Sequence, residues 1–199
     1  MRYFEFLSEQ QITPKIDPKK LDQAKADGFQ TDKVWYHGTK RRFSNFRAPK
    51  GRGIDELGKG IYVTQFVGTA NVWAQGQGHI LACVLREGKL VELSEVPKSG
   101  LWHPGNKGHD VWQEAYQGYL IYLAREYREV NLEAPPKDYR EFAEEMNRGK
   151  ISLSRCLAEV GYIGATDRYS QIRAQAVIWN HEDIRVIGRM PGIEGYHED

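Results

Sequence analysis

Strand-forming runs at both ends of the chain enclose a middle section written in helical periodicity, and that order limits the folds open to it. Val34-Trp35-Tyr36-His37 is a short β-prone run that stops at Gly38, and Ile61 to Thr64 is a second. His79 to Leu85 and Lys89 to Leu93 are two more, and Arg86-Glu87-Gly88 between them is a hairpin-sized connection. Near the C-terminal end, Gln175 to Asn180 and Ile184 to Met190 are strands joined by a tight His181-Glu182-Asp183 turn. In between, Asp110 caps a helix to about Arg128, with Val111, Ala115, Tyr119, Tyr122 and Leu123 at apolar helical spacing. Asp138 to Arg148, with Tyr139, Phe142 and Met146 inward, and Ser154 to Val160, stopped by Gly161, are two more helices. Strands, then helices, then strands again suit an α+β domain rather than a regular parallel βαβ fold. The segment from 110 to 160 reads as a lid-like helical insertion on a β core.

The N-terminal part is simpler. Residues 1–16 read as a loosely attached arm, and 17–199 as a single domain. Asp17-Pro18 supplies an N-cap and an N1 proline, and Gly28 closes the short helix, with Leu21 and Ala24 toward the body. Gly68 to Gln75 is another short helix, whose Ala70, Trp73 and Ala74 share one face. With 199 residues, 40% hydrophobic and 28% charged, the chain is long enough to bury a core and polar enough to be globular. A formal charge of +1 gives no global attraction to nucleic acid or to anionic membrane, so any such attraction is local. Cys83 and Cys156 stand far apart, outside any zinc or disulfide pattern, and read as buried thiols. His79, His103, His109, His181 and His197 lack metal-ligand spacing, so no metal is expected. No apolar run has the length of a membrane span. The start is too short and polar for a secretory signal, so a cytoplasmic monomer is the expectation.

Two short motifs carry chemistry. Tyr36-His37-Gly38-Thr39 puts a histidine and a glycine at the end of one strand, and Gly58-Lys59-Gly60-Ile61-Tyr62-Val63-Thr64 follows soon after. Together they supply three parts of a nicotinamide pocket. His37 offers a ring N–H to a ribose hydroxyl, Gly38 lets backbone approach a flat carboxamide, and Tyr62 offers a face for an aromatic ring. Between the two motifs, Lys40, Arg41, Arg42, Arg47, Lys50 and Arg52 place six positive charges in a stretch with no acid through residue 52. This is either a solvated basic loop or a clamp for a diphosphate, with Arg41 and Arg52 as the preferred contacts; the same charges also suit the phosphates of a nucleic acid.

The chain resembles the ADP-ribosyltransferase superfamily, on the diphtheria-toxin and poly(ADP-ribose) polymerase side with its His-Tyr-Glu triad. Within it, the chain is most similar to transferase-like proteins of phages and bacterial mobile elements. Three stretches carry the resemblance: Ala24 to Phe46, including Tyr36-His37-Gly38-Thr39; Gly58 to Thr64, with Ala70 and Ala74 on the next helix; and Ala176-Val177-Ile178-Trp179-Asn180-His181-Glu182-Asp183-Ile184. They cover roughly half of the chain and leave out the helical middle. The resemblance implies a split mixed or antiparallel β core with peripheral helices, holding NAD in an extended groove. It implies a bacterial or phage-infected host cell, cleavage of the nicotinamide–ribose bond, and transfer of ADP-ribose to a protein or nucleic-acid acceptor. His37, Tyr62 and Gln175 take the triad positions. Gly38, Thr39, Gly60 and Thr64 join His37 and Tyr62 in binding NAD.

Gln175 stands where the family has its catalytic glutamate. An amide accepts a hydrogen bond from a ribose hydroxyl but adds no negative charge. Three readings follow: a transferase that works with the amide; one in which Glu182, Asp167 or Glu114 supplies the acid; or an NAD-binding or interaction module without turnover, whether Gln175 is natural or engineered. The loop Arg168 to Arg173, with Tyr169, Gln171 and Arg173 exposed by pattern, is expected to shape acceptor choice. Trp102-His103-Pro104 is expected to line the acceptor side.

Overall fold

The computed structural model describes residues 14–48, 60–92, 108–126, 152–167 and 175–194. The expected helix 138–148, the loop 168–173, Trp102-His103-Pro104 and Arg52 lie outside them. The described residues form a mixed α+β structure with an eight-stranded sheet and four α-helices. The strands are β1 (Lys15–Ile16), β2 (Phe29–Thr39), β3 (Ile61–Thr64), β4 (His79–Arg86), β5 (Lys89–Glu92), β6 (Tyr162–Asp167), β7 (Gln175–Ile178) and β8 (Ile184–Pro191). The helices are α1 (Pro18–Ala26), α2 (Val67–Ala74), α3 (Gly108–Glu126) and α4 (Leu153–Ala158). A 3-10 turn, His181–Asp183, links β7 to β8.

The sheet runs β1-β8-β4-β2-β3-β7-β6-β5, antiparallel except for the parallel pair β5–β6. It cannot be flat. Strands β4 and β5 are five strand spacings apart in this order, about 24 Å on an unrolled sheet. The two residues Glu87-Gly88 that join them bridge at most about 11 Å. The sheet therefore folds over into two halves, β1-β8-β4-β2 and β3-β7-β6-β5. This corrects the hairpin expected for β4 and β5: β4 pairs with β2 and β8, and β5 pairs with β6. The connection had hairpin length, but it crosses between the two halves. The 3-10 turn crosses back beside it, and Arg86 Nε meets Asp183 Oδ1 at 3.3 Å where the crossings touch.

Strand alternation assigns the faces. One buried cluster takes Trp35, Leu81, Cys83, Leu85, Ile184 and Val186 from the first half, and Ile61, Val63, Ile163, Ala176 and Ile178 from the second. It is the core between the halves. The even-numbered residues of β4 point the other way, with Ile80 beneath Ala70 and Ala74 of α2, and Ala82 and Val84 packed with Ala24 of α1. A bulge near Ile163 shifts the register of β6 against β5, so Ile163 joins the inner core while Ala165 faces outward.

The helices follow most of their sequence signals, except that α3 begins at Gly108 and Asp110 lies in its first turn rather than at its cap. Asp17 accepts from the Lys19 N–H at 3.0 Å, Pro18 starts α1, and Gly28 takes a positive φ of 79°. On α3, Val111, Ala115 and Tyr119 are buried with Trp112, and Tyr122 and Leu123 pack beside them. Within the segment read as a lid-like insertion, α3 and α4 are the outer layer of the second half-sheet, burying Cys156 and Leu157 against Val91, Ala165 and Val177. Gly118 makes the contact close: a Cβ there would lie 1.8 Å from the Cys156 carbonyl oxygen. Two boundaries also differ from expectation. The arm ends in an edge strand, since Lys15 and Ile16 pair with Arg189 and Gly188 and Pro14 is buried. Strand β2 begins at Phe29 rather than Val34, anchored by the Phe29 ring, which lies between the guanidinium groups of Arg86 and Arg185 at 4.8 and 4.6 Å.

Candidate functional site at the split of the sheet

The two half-sheets meet at a narrow seam. Strands β2 and β3 are registered at a single pair, Tyr36 opposite Thr64, whereas β2 and β4 pair along most of their length. Past Tyr36, β2 continues through His37, Gly38 and Thr39 with no registered partner on its β3 side among the described residues. A side chain spans the gap instead: His37 Nδ1 lies 2.7 Å from the Tyr62 carbonyl oxygen. A carbonyl only accepts, so Nδ1 carries the hydrogen and donates. Burial lowers the His37 pKa below its ordinary 6.5, and the bond to Tyr62 only partly opposes that. The imidazole is thus neutral near pH 7, with Nε2 an acceptor. This reverses the polarity expected from the sequence: a hydroxyl would donate to His37 rather than accept from it.

The ring is walled by the segment that follows β2. Phe46 stands edge-on to His37 with centroids 5.1 Å apart, Phe43 lies at 6.0 Å, and the two phenyl rings meet at 5.1 Å. Thr39 shapes the turn into this segment, its Oγ1 accepting from the Arg41 N–H at 3.1 Å. Arg41, Arg42 and Arg47 are exposed, and with Phe43 and Phe46 they line a concavity of about 750 Å³.

Gly38 has a packing reason of its own. A Cβ there would fall 1.8 Å from the Ala70 carbonyl oxygen and 2.8 Å from the Ala74 nitrogen, so α2 rests directly on the β2 backbone. Gly60 is equally confined, with a Cβ position 2.3 Å from Val177 Cγ2. Thr64 is fully buried, and its hydroxyl accepts from the Phe66 N–H at 3.2 Å where the chain turns into α2. It supports the seam from within.

Tyr62 and Gln175 come together on neighbouring strands. Tyr62 is opposite Val177 and Thr64 is opposite Gln175, so Tyr62 and Gln175 are diagonal neighbours on one face of β3–β7, about 7–8 Å apart. The Tyr62 ring is half-buried against the cluster of α3 and α4. Its backbone, more than its ring, is what meets His37. Among the three alternative acids, Asp167 shares a register position with Gln175. Glu114 is engaged with Lys89 at 3.0 Å. Glu182 sits by the crossing turn, where Ile184 pairs with Leu85; that is four residues along β4 from Leu81, the partner of His37, or about 13 Å.

Sequence reading did not single out Phe43, Phe46 or Arg189 as site residues. Two phenylalanines three apart in an otherwise polar, basic segment were the available signal for the first two. Arg189 carried none, because its place depends on the β8–β4 register. Among the described residues no group of three or more His, Cys, Asp or Glu side chains is arranged to hold a metal ion, and no helix is long and apolar enough to cross a membrane. No family model, curated protein or solved structure matches the chain.

Proposed function

We propose that this chain is an NAD-dependent mono-ADP-ribosyltransferase of the His-Tyr-Glu type, with glutamine at the acid position. The observation that carries the proposal is the His37–Tyr62 hydrogen bond across the split between β2 and β3. It joins both sequence motifs at one seam, where Gln175 is the diagonal neighbour of Tyr62. The donor set suits NAD: a neutral histidine acceptor for a ribose hydroxyl, an unregistered strand edge for a carboxamide, and exposed arginines for a diphosphate.

In the reaction, the bond between the ribose C1′ and the nicotinamide nitrogen breaks, and nicotinamide leaves with the electron pair. Positive charge builds on the ribose, and the acceptor nucleophile bonds to C1′ and releases a proton to solvent. His37 would hold a ribose hydroxyl from the inner face; Gln175 lies on the outer face of β3–β7 beside Tyr62, so it would reach the ring only across the open edge past Tyr36. A carboxylate at 175 would add a favourable charge of about 4 kcal/mol at ~4 Å and an effective dielectric near 20. That is roughly a thousandfold in rate.

Gln175 itself favours a second reading, an NAD-binding module of the same fold without turnover. Nicotinamide release separates the two. The transferase reading expects release from the protein as it stands, and faster release from Gln175→Glu. Release from Gln175→Glu alone would identify a transferase framework disabled at residue 175. No release from either form, with or without acceptor protein or RNA, would remove the enzyme reading; no heat of binding at millimolar NAD would remove both.

A further inference from the structure

Arg189 has a place in the fold that its structural duties do not account for. Its backbone pairs with Leu81, which pairs in turn with His37 on the far side of β4. Opposed residues on antiparallel strands share a face, and Leu81 belongs to the inner core. Arg189 and His37 therefore flank Leu81 on the inner face, two strand spacings apart, or about 10 Å. The guanidinium reaches back toward the histidine, where Nη2 donates to the carbonyl oxygen of Phe43, one of the two rings that wall His37. Its Nε is buried without a hydrogen-bond partner, and no carboxylate among the described residues pairs with it.

A buried donor left unmade and a cation left unneutralised both cost stability. The segment over Arg189 adds to the imbalance: Lys40, Arg41, Arg42 and Arg47 all fall within residues 40–48, with no acid. His37 is neutral and does not oppose an anion there, and it brings no negative charge either. A planar guanidinium with a free Nε edge suits two oxygens of one phosphate.

We infer that Arg189 anchors a phosphate of the ligand bound at the His37 seam, so that the site takes a nucleoside diphosphate with a phosphate at the Arg189 guanidinium and its sugar toward His37. The phosphate oxygens accept from the Nε and Nη2 edge, taking the place that the Phe43 carbonyl holds in its absence. This rests on the reading of the seam as a ligand site, and it names the group that the inner face recognises.

ADP-ribose, which lacks nicotinamide, is the probe. Its affinity for the wild type, Arg189→Met and Lys20→Met is measured by calorimetry at low and high salt. Lys20 is an exposed residue of α1 and controls for the loss of one surface charge. The expected result is an affinity about tenfold to a hundredfold weaker in Arg189→Met, with a shallower salt dependence, and no change in Lys20→Met. Wild-type affinity in Arg189→Met overturns the inference. So does a loss with unchanged salt dependence, because a mere strut to Phe43 would behave that way. No binding by the wild type at millimolar ADP-ribose overturns it as well. Should Arg189→Met not fold, Arg189→Gln is read by the same two criteria, since it keeps a polar side chain of similar reach but loses the charge and the fork. Arg189-dependent binding of ADP-ribose without nicotinamide release would leave this inference standing and remove the transferase reading.

Discussion

His37 illustrates how one residue serves both the fold and the proposed chemistry. Its Nδ1–H replaces a ladder bond where two strands part, and burial holds the ring neutral. The sign of its pH effect follows. The folded pKa lies below 6.5, so as pH falls through that value the unfolded chain takes up the proton first, and stability is lost. Well above 6.5 both states are neutral and the residue adds no slope. Urea unfolding of wild type and His37→Gln across this range should show a steeper acid loss in the wild type; parallel curves would mean that the ring is not shielded. The sequence pointed to His37 from its Gly-Thr context. It could not tell which ring nitrogen was committed, because that depends on a carbonyl 25 residues away. Gly38 was legible as a place of close approach, but its nearest neighbour is the α2 backbone.

Elements were legible wherever local signals are strong. The cap at Asp17, the positive φ at Gly28 and Gly161, and the apolar face of α3 all lie where their spacing puts them. Pairing between elements was not, because a short connection between two strands looks the same whether it reverses the chain or crosses to another layer. The C-terminal segment shows what holds an element without regular pairing. Asn71 on α2, almost fully buried, donates from Nδ2 to the Ile193 carbonyl at 2.9 Å and accepts from the Ile193 N–H at 2.8 Å. Asn71→Ala would remove both bonds and leave the Ile193 groups without them. A loss of about 2–3 kcal/mol is expected, together with faster amide exchange at Ile193. Unchanged protection at Ile193 would show that the segment is held by other contacts, such as that of Gly192 N–H with the Gly78 carbonyl.

At the scale of the whole molecule, the described residues form a rolled sheet with a core shared between its halves, and this governs how it should unfold. Leu81 is fully buried among residues of both. Leu81→Ala should cost about 2–5 kcal/mol. Because the cluster is common property, amide protection should fall alike in β4 and in β7, which belong to different halves. Protection lost in β4 alone would make the halves separate folding units. Within the first half, the register of β2 and β8 on β4 puts Arg189 and His37 on one inner face, and the Phe43–Phe46 segment packs beside them. The β4–β5 and β7–β8 crossings meet at Arg86 and Asp183, at the other end of β4.

Most α-helical starts and stops, the burial of both cysteines and the α+β order of elements were written in the chain, because each follows from neighbours within a few residues. The pairing of β5 with β6 rather than β4, the single-pair seam between β2 and β3, the His37–Tyr62 bond and the location of Arg189 were decided only in three dimensions. Each joins segments whose separation along the chain leaves no local trace, and the shared core between the half-sheets selects among the alternatives. The motif around His37 was therefore visible as a set of residues, whereas its hydrogen-bond polarity and its company came from the fold.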